Sequence, residues 1–257
     1  MLLPSVVFSS AAKKCVVLIE TPDRDPCIAL YDVVDDGNSL LANRREILFL
    51  FDAVPFYSPL ALSSDGSILS LESDSVGFIS MLSGDSWWSR DNEEENNLLA
   101  IQFSPNDAFV ALAFRDALSI KYGFLRMLGG PNGDSLWELA EDDTGVRLPV
   151  IDTLAFCPSS TRLACICGDG PCGQIGVRAN AVFIVDLPFG LSRRLILDDI
   201  VTAVTFHPCG LRLLVVHVTS ICIIDILSGV RLHSAPLIDP IRELLAVSWP
   251  DESNGDH

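Results

Sequence analysis

The sequence predicts an all-β fold built from repeated four-stranded units. Three observations carry that reading: a strand-turn-strand plan recurs along the chain, many strands are apolar on both faces, and no long helical period with caps competes with them. The recurrence appears when SVVFSSAAKKCVVLIE, SPLALSSDGSILSLES, LLAIQFSPNDAFVALAF, IDTLAFCPSSTRLACIC, VTAVTFHPCGLRLLVVH and LLAVSWPDESNGDH are placed beneath one another.

Each segment holds a short apolar strand ending at an anchor, namely Phe8, Leu62, Phe103, Phe156, Phe206 or Trp249, followed by a polar turn. In the first five, a second apolar strand follows the turn. The anchors lie 54, 41, 53, 50 and 43 residues apart, the spacing of a four-stranded unit with loops of varying length. The units run over residues 2–46, 47–97, 98–149, 150–199 and 200–240, with a partial unit at 241–257.

The turns have the chemistry that reversal needs. Ser63-Ser64-Asp65-Gly66, Ser104-Pro105-Asn106-Asp107 and His207-Pro208-Cys209-Gly210 combine Pro, which presets φ, with residues that tolerate left-handed dihedrals. Third strands are expected at CIALYDVV, VGFISML, ALSIKYG, AVFIVDL and SICIIDIL, all rich in Ile, Val and aromatics. Runs such as ILFLF and RLLVV are apolar on both faces, so each sheet must be covered on both sides. Sheets stacked radially achieve this, whereas a two-layer sandwich leaves its outer faces wet. The expected architecture is a β-propeller of about five four-stranded blades plus the first strand of a sixth, forming one domain over 1–257.

Composition narrows function. Acidic residues outnumber basic ones 34 to 17, a net charge of −17, which repels phosphate backbones and anionic lipids and argues against nucleic acid or membrane as a direct partner. The start, MLLPSVVFSSAAKK, lacks a basic n-region and is broken by Pro4, so no cleaved signal is expected. The longest apolar run, LLVVHVTSICII, is too short to span a bilayer. The eight Cys are read as buried thiols in a reducing compartment, and the expected location is cytoplasmic or nuclear.

One stretch, CICGDGPCG at 165–173, carries a G-x-G-x-x-G spacing and three cysteines. A dinucleotide fingerprint requires a helix after its glycines, and QIGVRANAVFIVDL reads as a loop and a strand. Zinc ligation by Cys157, Cys165, Cys167 and Cys172 lacks a C-x-x-C pair. The stretch is therefore a loop, and no cofactor or metal is expected. His207, His217, His233 and His257 have no nucleophile pattern beside them, so no enzyme is expected.

The Phe-x-Pro turns at Phe103 to Pro105, Phe156 to Pro158 and Phe206 to Pro208, with third strands closing on Tyr31-Asp32, Val185-Asp186 and Ile224-Asp225, resemble a divergent WD-repeat propeller over essentially the whole chain. No unit opens on Gly-His and no third strand has the family's Trp. Units two and three lack the Asp as well, with Met81-Leu82 and Tyr122-Gly123 at the expected strand ends. The family's His, Ser, Trp and Asp network is therefore not carried over to any unit. The final segment reads as the opening strand of a sixth unit, which raises the expectation of a larger propeller or of completion by a partner chain.

The resemblance implies a non-enzymatic scaffold that docks partner proteins or peptides through rim loops. The long loop at 168–180, with Asp169 and Arg178, shares one rim in the family's topology with DAVPFYS at 52–58, DNEEENN at 91–97 and EDDTGVR at 141–147. Phe56, Tyr57, Trp87, Trp88, Arg90, Glu93, Glu94 and Glu95 complete the candidate partner site, and its acidity fits a basic peptide. Two adjacent Trp on a strand also read as one core and one interface residue. A propeller hydrolase or metal-dependent enzyme is the rival, as is a purely structural module packing against further blades of its own parent chain. Against the enzyme, the first strands offer mainly Ala, Val, Leu, Thr and Gln at the positions that would line a central channel.

Overall fold

The structure, a computed structural model, describes residues 6–9, 13–21, 24–35, 40–49, 59–72, 75–81, 86–91, 97–118, 122–130, 134–141, 145, 147–167, 181–197 and 200–237. These form five antiparallel sheets of four strands with no α-helix among them, as the recurrent plan requires. Sheet one pairs β1 (Val6–Ser9), β2 (Lys14–Thr21), β3 (Arg24–Asp35) and β4 (Leu40–Phe49) in chain order. Sheet two holds β5 (Leu60–Leu62), β6 (Ile68–Glu72), β7 (Ser75–Ser80) and β8 (Ser86–Asp91). In sheet three are β9 (Asn97–Phe103), β10 (Phe109–Arg115), β11 (Gly123–Gly129) and β12 (Asp134–Leu139). Sheet four comprises β13 (Ile151–Phe156), β14 (Arg162–Cys167), β15 (Ala181–Asp186) and β16 (Leu191–Ile196). The fifth consists of β17 (Val201–Phe206), β18 (Arg212–His217), β19 (Ser220–Asp225) and β20 (Arg231–Pro236).

One strand differs from expectation. The third strand of unit three is β11, GFLRMLG, and not ALSIKYG, because Asp116 Oδ1 accepts the Leu118 amide at 2.8 Å and turns the chain outward there. Leu118 is 97% exposed, and the segment from Gly123 onward pairs with β10 in an unbroken register from Arg115↔Gly123 to Phe109↔Gly129. The link between second and third strands in this unit therefore spans 116–122.

Packing follows the two-sided apolarity. Along β14, Leu163, Cys165 and Cys167 join Ala111, Leu125 and Met127 of sheet three, while Ala164 and Ile166 join Val204, Leu213 and Val215 of sheet five. Alternation of side chains across the pleat thus serves two cores from one strand. The first strands repeat a finer rule. Leu98, Ile101 and Phe103 of β9 face sheet two, Ile151, Leu154 and Phe156 of β13 face sheet three, and Val201, Val204 and Phe206 of β17 face sheet four. The small residues between them, Ala100 and Ala155, pack toward the following sheet. First strands of consecutive sheets are neighbours throughout, from β1 beside β5 to β13 beside β17.

A bulge recurs on the fourth strands. In sheets one, two, three and five it inserts Arg45, Trp87, Leu136 and Leu232 at one register position. A bulge on an outer strand sharpens its twist and discourages edge pairing.

Candidate interaction rims

A chain-order meander places the first-to-second and third-to-fourth turns at one end of every sheet, and the second-to-third loops and sheet-joining segments at the other. The turn end is held by a belt of hydrogen bonds. Four first turns share one backbone pattern: the residue after the anchor (Ser63, Ser104, Cys157, His207) donates its N–H to the start of the second strand. Its carbonyl accepts from Gly66, Asp107, Ser160 or Gly210 respectively. Those four residues all have positive φ, between 55° and 70°, which Gly adopts freely and Asp or Ser only at a cost.

The cost has a use. Where the left-handed residue carries a side chain, that side chain ties the turn to the one before it: Asp107 accepts the Ser64 N–H at 2.8 Å and its hydroxyl at 2.5 Å, and Ser160 Oγ accepts the Asn106 N–H at 3.2 Å. Where it is Gly, a base at the start of the preceding sheet's second strand donates to its carbonyl, Lys14 Nζ to Gly66 at 3.1 Å and Arg162 Nη1 to Gly210 at 3.3 Å. The same base faces an Asp across the sheet, in Lys14↔Asp32 and Arg162↔Asp186, the latter an ion pair of 2.8 Å. Sheets two and three have Ile68↔Ser80 and Phe109↔Gly129 instead, so base and Asp are lost together. The residues opposite the start of the second strand are Ser80 and Gly129, not the Met81-Leu82 and Tyr122-Gly123 pairs read from the sequence.

A second set of bonds joins the outer strands. Trp137 of β12 donates its indole N–H to Pro188 O at 2.7 Å, and Arg193 of β16 donates to Leu227 O at 2.6 Å, each reaching the third-to-fourth turn of the next sheet. Trp137 lies opposite Met127 and Arg193 opposite Ile184, equivalent register positions in their sheets. Replacing Asp107 by Gly removes both bonds to Ser64 without straining φ, and should lower stability by about 1–2 kcal/mol, read from the urea midpoint.

At the other end, the described loops bring Asp116, Tyr122 and Arg147 together. Arg147 donates to Asp116 Oδ2 at 2.7 Å and stacks over the Tyr122 ring at 4.7 Å, linking the 116–122 loop to the segment that enters sheet four. Hydrogen bonds from the Leu118 amide and from Arg147 hold the Asp116 carboxyl below its ordinary value. Asp225 is held low chiefly by the Ser228 amide; burial raises Asp65, but bonds from Ser67 and Ser63 outweigh it. All three shifts are downward. Their contribution is therefore complete above the ordinary value of 3.8 and is lost as pH falls below it through the folded values. In thermal melts from pH 6 to 2, Asp225→Asn should flatten the acid-side fall in Tm relative to the unaltered chain.

The cysteines divide by environment. Burial pushes Cys165 well up and Cys167 to about 12, so both remain thiols on the face shared with sheet three. Cys157 sits in the first turn where sheets two and three have Ser. Burial raises its thiol, but bonds from Ser159, Thr161 and the Thr161 and Arg162 amides outweigh this and leave it below its ordinary value. His217 is buried, with Nε2 3.3 Å from Cys222 Sγ and Nδ1 without a partner among the described residues. No group of three His, Cys, Asp or Glu stands ready for a metal among the described residues, and no described helix is long and apolar enough to cross a membrane.

Of the sequence-predicted partner site, Phe56, Tyr57, Glu93, Glu94, Glu95, Asp169 and Arg178 lie outside the described residues. The backbone of β8 carries Trp87, Trp88 and Arg90: Trp88 lies opposite Phe78 and Arg90 opposite Val76, and Trp87 is the bulge residue between. The structure therefore separates the two tryptophans by register. Trp88 takes the position of Trp137, and Trp87 takes that of Leu136 and Leu232, which are 45% and 42% exposed. Sequence reading overlooked Leu118 and Tyr122, because the strand-like pattern of ALSIKYG concealed the turn at Asp116, whereas Arg147 falls in EDDTGVR at 141–147, already placed on the rim. Comparison with protein-family models and with curated proteins returns no match to this chain.

Proposed function

We propose that this chain is a non-enzymatic scaffold of the WD-repeat propeller type, docking partner proteins through one rim and its adjoining outer strands. The observation that carries the reading is the belt. Five like sheets, laid first strand beside first strand and tied turn to turn, make a stiff frame whose opposite rim is left to loops. A frame ordered before binding loses little conformational entropy on binding.

On that rim Leu118, Tyr122 and Arg147 supply an apolar tip, an aromatic ring and a cation, the residue types that anchor interfaces. Of the two tryptophans, Trp87 is the better anchor, since its register partners in sheets three and five are exposed. The acidic loop carrying Glu93, Glu94 and Glu95 favours a basic partner. Affinity capture from a native lysate should recover a set of proteins that is lost with Trp87→Ala plus neutralised 93–95 or with Leu118→Asp. Identical recovery with all three baits refutes the rim as the docking surface.

A further inference from the structure

The fifth sheet presents a second face with the fittings of a sheet junction. Its inner face, with Leu213, Val215, Cys222 and Ile224, is buried against sheet four. On the outer face Leu214, Ile221 and Ile223 are half-buried and Ala235 is exposed. Their counterparts on sheet four, Ala164, Val182, Ile184 and Leu195, are 0–8% exposed because sheet five covers them. The connectors recur too. Arg212 opens β18 opposite Asp225 as Arg162 opens β14 opposite Asp186, and His233 lies opposite Ile223 as Arg193 lies opposite Ile184. Arg162 and Arg193 each grip a turn of the next sheet, whereas Arg212 and His233 are exposed.

The chain itself carries a segment cut to this face. The residues that point each first strand back at the preceding sheet follow one spacing: Leu98, Ile101 and Phe103; Ile151, Leu154 and Phe156; Val201, Val204 and Phe206. Counted from the anchor Trp249, the same spacing selects Leu244, Val247 and Trp249, with Ala246 and Ser248 at the small positions of Ala203 and Thr205. Four residues past each of Leu62 and Phe206 stands the Gly whose carbonyl a base grips; four past Trp249 stands Ser253, preceded by Asp251 and Glu252, acidic neighbours suited to Arg212.

We propose that the outer face of the fifth sheet is the docking surface for residues 244–253 of this chain, with Leu244, Val247 and Trp249 seated against it and Arg212 gripping the turn that follows. The inference rests on the repeat stacking of the proposed scaffold, and it deepens that reading by assigning the fifth sheet an occupant.

The test reads the indole N–H resonances of the full chain by ¹⁵N-correlated NMR, with Trp249 assigned through Trp249→Phe. The Trp249 resonance should be displaced from its free-peptide position at all concentrations. Leu214→Asp should return it there, and Arg212→Ala should move it partway. Trp137, bonded to Pro188 O, reports independently that sheets three and four are folded. Loss of the Trp137 signal at its folded position in the unaltered chain would overturn the stacking itself. A Trp249 resonance already at the free position, or one indifferent to Leu214→Asp while Trp137 holds, overturns the docking alone. Displacement that appears only as concentration rises also overturns it, in favour of a second copy.

Discussion

Phe78→Ala should cost about 3–5 kcal/mol, the largest loss expected from a single side chain here. Phe78 lies on β7, is fully buried, and meets Phe103 of β9 edge to face with ring centroids 5.9 Å apart. It therefore belongs to the core that joins sheets two and three, together with Val110, Leu112 and Phe114. Truncation forfeits the transfer of a whole ring from water and leaves a cavity between two sheets, each fastened on its other side to a further sheet and so unable to collapse into the gap. Phe78→Leu, which keeps most of the volume, should cost about 1.5 kcal/mol. Urea unfolding followed by far-ultraviolet dichroism measures both, and a loss under about 1 kcal/mol for Phe78→Ala would mean that sheets two and three are not packed through this ring.

Gly123→Ala should cost about 3 kcal/mol for a different reason. A Cβ at Gly123 would collide with the Phe114 carbonyl oxygen and stand 3.4 Å from Val150 Cα. Both obstacles are backbone, so no rotamer change relieves the clash. Gly123 also donates its N–H to Leu148 O at 3.0 Å, and the next residue stacks on Phe114 with centroids 4.9 Å apart. Moving either strand to admit a methyl group breaks the sheet-joining bond or parts the stacked rings. Gly129→Ala, at the other end of the same strand, meets the flexible Leu136 side chain at 3.4 Å and should change stability by less than about 1 kcal/mol. Equal losses for the two substitutions would remove the steric argument.

The registers also explain what was legible in the residues. The anchors and turns repeat in plain view because each obeys local chemistry: Pro, Asn, Asp and Gly set the reversal, and apolar alternation sets the strand. ALSIKYG shows where that logic fails. Its composition suits a strand, yet the Asp116 carboxylate captures the Leu118 amide and turns the chain there, while GFLRMLG pairs with β10. Trp87 and Trp88 are likewise indistinguishable as neighbours, and only the bulge opposite Phe78 and Ile79 gives them separate positions.

What the residues determined unaided was the class of element and the repeat: short strands, tight turns, two apolar faces, and no patterned helix. Those properties are written within a few residues of one another, and backbone dihedrals and side-chain alternation enforce them locally. The junctions were decided only by the tertiary structure. Nothing near Asp107 announces Ser64 as its partner, nor does the sequence around Trp137 point to Pro188. These bonds join residues 43 and 51 positions apart, and they exist because neighbouring sheets stack in one register and bring distant turns within reach.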